Sequence, residues 1–222
     1  MTMGKSLSEI LWEENRDIAA SCLNHPFVQG IASGKLRREK FNWYVGQDYF
    51  YLHAFAKAFC LAAAKAPDTR GMVSFHKLAE GALNEMKLHK GFESSLGADV
   101  ESVVASKPTR MYTDFLLSTA WGCDVGLIAA ATTPCNRLYA WIGQNLKKYA
   151  KNEENPFIDW IRTYSSDSFE SLARETERLI DLYATNVSEA RKAYRYAMIC
   201  EYDFFDAAWK YEASKGGGER QL

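Results

Sequence analysis

Two carboxylates and one thiol stand on helix faces that are otherwise apolar. Residues three and four apart share a face of a helix, so Asp48 has Tyr44, Val45, Tyr51 and Leu52 around it, and Glu201 has Ala197, Met198, Phe204 and Phe205. An unpaired buried carboxylate is costly or takes up a proton. Each therefore needs a hydrogen-bonding partner, a helix edge that reaches water, or a ligand. Two such groups in one small helical domain point to a polar pocket inside a bundle, where helical proteins commonly build a site.

The thiol is Cys135, in the stretch TTPCNRLYAWIG (132–143), where it faces Ala131, Thr132, Leu138 and Tyr139. A lone cysteine in such a setting is usually inert packing. Pro134 offers a second reading. A proline inside a helix leaves the Ala130 carbonyl without its donor and bends the chain, and a kink of this kind can aim a side chain into a cavity. Spacing leaves both readings open. Cys22, Cys60, Cys123 and Cys200 lack such a context and read as core. Five cysteines at long intervals, with no CxxC, exclude a disulfide framework and a thiolate zinc site.

The four histidines argue against metal chemistry. His76 with Glu80, and Glu85 with His89, are i,i+4 pairs of the kind that carboxylate-bridged metal sites use, but those sites draw further ligands from other helices. No histidine follows position 89. His25, in a break rich in Pro and Gly, reads as a residue that ties down a turn rather than as an axial haem ligand.

The elements that must position these groups are helices. Ser6 with Glu9 makes a capping box for a first helix to about Cys22. HPFVQGIASGK breaks the pattern. Long helices follow from about Arg37 to Ala66, stopped by Pro67, and from Thr69 to Leu96, stopped by Gly97. Others span about Thr109 to Trp121, Asp124 to Tyr149, Pro156 to Tyr164 with proline in the first turn, Asp167 to Ala184 with an Asp167–Glu170 capping box, and Ser188 to Ala213. Alternating β-branched runs and hairpin turns are missing, so the expected fold is all-α, with seven or so helices. Residues 98–107 are the only sizeable irregular connection, and KGGGERQL reads as a flexible tail. The expected division is one domain over residues 1–214 and a tail over 215–222.

Composition narrows the function classes. The 222 residues are 47% hydrophobic and 14% aromatic, enough for a sizeable core. A net charge of −1 offers no basic excess to neutralise phosphates, so nucleic acid is not an expected partner. The N-terminus shows no apolar signal core. The apolar stretch 49–64 is interrupted by His53 and Lys57 and is too short for a confident membrane span. A reduced, cytoplasmic protein with no membrane partner is the expectation.

Six blocks then resemble one family, in the family's order: HPFVQGIASGKL (25–36), FNWYVGQDYFYL (41–52), KPTRMYTDFL (107–116), PCNRLYAWIG (134–143), PFIDWIRTYSSDSF (156–169) and ICEYDFFDAAW (199–209). Over residues 7 to 212 the chain resembles the TenA (thiaminase II) family, which shares the haem-oxygenase-like all-α fold without haem. The resemblance implies that Cys135 is the active-site cysteine of the cysteine-containing branch and Glu201 the catalytic glutamate. It implies that Asp48 binds the pyrimidine with Tyr51 beside it, that Tyr112, Tyr139 and Tyr164 line the pocket, and that Phe204 packs on the substrate ring. Asn136 and Arg137 depart from the bulkier or aromatic residues of some relatives.

The same resemblance implies a chemistry: hydrolysis of 5-aminomethyl-4-amino-2-methylpyrimidine to the hydroxymethyl compound and ammonia, and of thiamin to the same pyrimidine plus thiazole, a salvage step. A thiolate adds to the ring and lets it expel the leaving group. Cys135 is the expected nucleophile, with neighbours that raise its thiolate fraction. Glu201 moves protons, with a pKa raised by apolar surroundings. Tyr139 and Tyr164 are expected to orient Glu201, and Tyr51, Tyr112 and Phe204 to hold the ring. No cofactor or metal is expected, and the resemblance implies a homotetramer. The competing readings are a non-catalytic pyrimidine-binding or regulatory protein, and a metal-dependent oxidase on the related fold.

Overall fold

The computed structural model describes residues 4–96 and 103–212, with 87–96 described for the backbone alone. Among them every regular element is helical: α1 (Leu7–Glu13), α2 (Arg16–Leu23), α3 (Pro26–Ser33), α4 (Arg38–Lys65), α5 (Thr69–Leu96), α6 (Lys107–Gly122), α7 (Val125–Leu146), α8 (Ile158–Tyr164), α9 (Asp167–Tyr183) and α10 (Val187–Lys210). A 3-10 turn, Lys147–Tyr149, follows α7. The fold is all-α, as expected. The residue 215–222 tail lies outside the described residues, as do residues 98–102 of the 98–107 connection. Among the described residues no helix is long and apolar enough to cross a membrane.

The extra helices come from local signals. The expected first helix is two, because the chain turns at Glu14–Asn15, where the buried Asn15 amide donates to the Leu11 carbonyl at 2.7 Å. HPFVQGIAS is not a break but α3. Pro26 fills the first turn, where no donor is needed. His25 caps it, its Nδ1 accepting from the Phe27 amide at 3.2 Å, and Gly34 closes it at φ 71°. Helix α9 is capped by the Ser166 hydroxyl rather than by Asp167, which is its first helical residue and faces the positive helix end. Pro156 sits in the turn before α8, which Asn155 pins by accepting from the Phe157 amide at 2.9 Å. Cys60 is exposed and Cys123 half-buried, so only Cys22 and Cys200 are core as expected. Cys60 falls on the outward side of α4, beside the exposed Lys57 and Ala64.

Helix α7 is the centre of the molecule. It packs on α9 and α10 and also meets α4, α6 and α8. Of its 22 residues, Val125 to Leu146, most are buried on all sides, which explains its nearly unbroken run of small and apolar side chains. Two glycines permit the closest approaches. A Cβ on Gly126 would run into the Tyr183 carbonyl and Ala184, and a Cβ on Gly143 into the Tyr164 carbonyl and the Ser165 amide. Backbone cannot yield as a side-chain tip can. Gly143→Ala is therefore expected to cost about 1–3 kcal/mol or more. Thermal unfolding followed by circular dichroism should show a melting point lower by roughly 2–4 °C per kcal/mol in a chain of this size. An unchanged melting point would show that α8 can move away freely.

Candidate active site

Four helices bring their polar exceptions to one place. Helix α4 supplies Asp48 and Tyr51, α6 supplies Tyr112, α7 supplies Cys135 and Tyr139, and α10 supplies Glu201 and Phe204; together these seven side chains line a hollow with about 180 Å³ of atom-free space. Its walls lie close together, so a heterocycle is admitted only as they part. A much larger space, about 1270 Å³ between α6 and α10, is a surface groove that touches none of these residues. Chemistry therefore singles out the small hollow. Asp48 and Glu201 are 7% and 2% exposed, and neither reaches solvent at a helix edge. Helix α7 runs unbroken through Pro134, and Cys135 keeps part of its surface on the wall of the hollow.

The hydrogen bonds assign partners differently from the expectation. Tyr112, not Tyr139 or Tyr164, holds Glu201: its hydroxyl donates to Oε1 at 2.8 Å. The Cys135 thiol is the second donor to that carboxylate. Tyr139 instead accepts from the Tyr44 hydroxyl at 3.0 Å, and Trp160 Nε1 approaches the same Tyr44 oxygen at 3.4 Å. Tyr164 donates to Glu85 Oε1 at 2.8 Å and is not part of the inner wall, although its ring packs on Tyr139 with centroids 4.8 Å apart. The reason is topological. Tyr164 ends α8, on the α5 side of α7, while Tyr112 reaches across from α6 to α10. Tyr51 faces Cys135 and Tyr112. Its hydroxyl is buried and closes no well-formed hydrogen bond among the described residues. Such a group is poised for a ligand.

Electrostatics overturn one further expectation. Among the described residues no cation lines the hollow. Arg137, two residues from the thiol, turns away to Glu170 at 2.6 Å and Glu177 at 3.4 Å on α9. Burial first, and then the charge of Glu201, hold the Cys135 thiol well above the usual range, with Asp48 and Glu85 adding to the effect against a hydrogen bond from Tyr51. The resting group is a neutral thiol, not an enriched thiolate. Burial lifts the Glu201 carboxyl to about 7, against the opposing hydrogen bonds from Tyr112 and Cys135. Asp48 is pushed well above the carboxylate range by burial and by the nearby Glu85 and Glu201. A neutral Asp48 carboxyl presents one donor and one acceptor, which complements an amino group beside a ring nitrogen. Among the described residues no group of three or more His, Cys, Asp or Glu side chains is arranged to hold a metal ion.

Sequence reasoning missed Glu85, Tyr44 and Trp160. Glu85 was read only as a partner for His89, whose side chain lies outside the described residues. Its place one turn beyond Ala82 and Leu78, both buried, was the available signal. Tyr44 was noted only as a neighbour of Asp48, and Trp160 carried no signal at all.

An all-helical, haem-oxygenase-like domain that closes a thiol and acidic groups into a small internal hollow is the class that this fold and site define. The backbone superposes on haem oxygenase-1 of the cyanobacterium Synechocystis with a TM-score of 0.67 at 17% identity, covering 91% of each chain. It superposes on a TenA homologue of P. horikoshii with a TM-score of 0.87 at 24% identity, covering 93% of this chain and 99% of that one. The chain belongs to the TENA/THI-4/PQQC family, which it matches over residues 12–211. A curated relative, an aminopyrimidine aminohydrolase of Halalkalibacterium halodurans, is 36% identical over 193 residues, 85% of this chain and 86% of that protein.

Proposed function

We propose that the protein is an aminopyrimidine aminohydrolase. It hydrolyses 5-aminomethyl-4-amino-2-methylpyrimidine to the hydroxymethyl compound and ammonia, and cleaves thiamin to the same product, in thiamin salvage. The supporting observation is the meeting of Cys135, Glu201 and Asp48, from α7, α10 and α4, around one closed hollow. The name of the Halalkalibacterium halodurans relative supports the same substrate class.

Each group has one task. The neutral Asp48 carboxyl accepts from the ring amino group and donates to the neighbouring ring nitrogen, fixing the ring and stabilising negative charge that moves onto that nitrogen. The Tyr51 hydroxyl and the Phe204 ring hold the heterocycle. Glu201, as carboxylate, takes the Cys135 proton while sulfur bonds to a ring carbon, so no standing thiolate is needed. The electron pair displaced onto the ring returns to expel the amine, which receives its proton from Glu201 and leaves as ammonia. Water adds to the exocyclic methylene and gives its proton to the same carboxylate. Sulfur then departs, the ring regains aromaticity, and Glu201 returns a proton to the thiol. The net change is one water consumed and one ammonia released.

The same reading takes the protein as a cytoplasmic homotetramer. Large apolar side chains left exposed on α6 and α10, including Met111, Tyr196 and Ile199, suit a subunit interface. The test is to incubate the purified protein with the aminomethyl pyrimidine and with thiamin and to follow the hydroxymethyl product. Formation of that product with stoichiometric ammonia from the former is expected. Binding without turnover would make the protein a pyrimidine-binding module instead.

A further inference from the structure

Behind the catalytic hollow, between α5, α7 and the α8–α9 corner, lies a second cavity with about 640 Å³ of atom-free space. Phe55, Phe59, Leu78 and Ala82 make it apolar, and Glu85 and Asn136 are the polar groups deepest in it. It opens to the surface beside the exposed Asn84 and Thr163.

Three residues join the two spaces. Asn136 follows Cys135 directly, so one step along α7 passes from one wall to the other. Phe55 stacks on Tyr51 of the inner wall, with centroids 5.2 Å apart and planes at 28°. Glu85 lines the outer cavity yet lies near enough to Cys135 and Asp48 to act on both electrostatically. Asn136 is 4% exposed, and its Nδ2 has no hydrogen-bond partner among the described residues. A buried amide donor left unpaired is unusual and is satisfied by a ligand or by water.

We propose that this outer cavity holds the leaving group of the substrate, and that Asn136 makes it selective for a flat, largely apolar group carrying one hydrogen-bonding oxygen. The inference rests on the function proposed above and extends it to substrate choice. Ammonia needs no such room. A group expelled from the methylene must leave away from the inner wall, and the outer cavity lies behind that wall and reaches the surface. The heterocycle of thiamin, which leaves as a neutral thiazole with a hydroxyethyl arm, fits the apolar part, and its oxygen accepts from Asn136 Nδ2.

The test compares kcat/KM for thiamin and for the aminomethyl pyrimidine in the wild type, Asn136→Phe and Asn136→Leu. Phenylalanine projects a ring into the outer cavity; leucine keeps the branched outline of asparagine and removes the donor, and it serves where the larger side chain fails to fold. The ratio of thiamin to aminomethyl turnover is expected to fall at least about tenfold in Asn136→Phe, the scale on which a pocket discriminates by size, and several-fold in Asn136→Leu. Binding of the free hydroxyethyl thiazole, read by line broadening of its proton NMR signals, is expected in the wild type and lost in Asn136→Phe. A ratio unchanged within about threefold in folded variants overturns the subsite. So does a wild type that turns over the aminomethyl compound and rejects thiamin. A wild type that turns over neither compound contradicts the enzymatic reading itself.

Discussion

Cys135→Ser is expected to bind the aminomethyl pyrimidine as the parent does and to release ammonia at least about 10³-fold more slowly, because loss of a covalent nucleophile removes the whole low-barrier route. Serine keeps the shape and can still donate to Glu201, so Asp48, Tyr51 and Phe204 keep their grip on the ring. What is lost is the sulfur. In a hollow with no cation among the described residues, and with three acidic groups close by, even the thiol must shed its proton as it attacks. An alcohol, several units less acidic, has no such path at neutral pH. Calorimetric titration with the pyrimidine separates binding from chemistry, and an ammonia assay reads the rate. Parental turnover by the serine variant would remove covalent catalysis from the scheme.

The second large effect concerns Glu201. Glu201→Gln is expected to lower kcat by roughly 10²–10⁴-fold, the range for loss of a positioned acid–base group. The pH profile tells this role from simple packing. The wild-type carboxyl titrates at about 7, and only its ionised form can take the thiol proton, so kcat/KM rises with pH through about 7. Because the thiol itself is held well above its usual range, the falling limb belongs far into the alkaline region. The residual activity of Glu201→Gln should show no inflection near 7. Tyr112→Phe removes the donor that lowers this pKa, and should move the rising limb to higher pH without abolishing it.

Stability supplies an independent reading of the same group. Between its ordinary value of 4.5 and about 7, the folded protein holds a proton that the unfolded chain has released. Folding stability is therefore lost as the pH rises through that window. Denaturant midpoints across it should fall less steeply in Glu201→Gln, in which nothing titrates at this position. An identical slope in both proteins would assign the proton to Asp48 or Glu85 instead.

The amino-acid order carried much of this architecture in plain view. Apolar residues at helical spacing, capping residues such as Ser6, and the stops at Pro67 and Gly97 made the helices legible, because each of these signals acts within a turn or two of chain. The same locality exposed Asp48 and Glu201 as carboxylates on inward faces. It misled at HPFVQGIAS, where Pro26 and Gly34 begin and end a helix, because one residue type can punctuate either boundary.

Partners were another matter. Which tyrosine holds Glu201, that Arg137 turns its charge away from the thiol, and that Glu85 lines the outer cavity all depend on how α5, α6, α8, α9 and α10 dock around α4 and α7. Those distances span tens of residues and have no local signature. Burial likewise is a property of the packed whole, and burial keeps the thiol neutral and carries Glu201 to about 7. Residue types announced a thiol and acids; the three-dimensional packing set their protonation and paired them into a proton-transfer site.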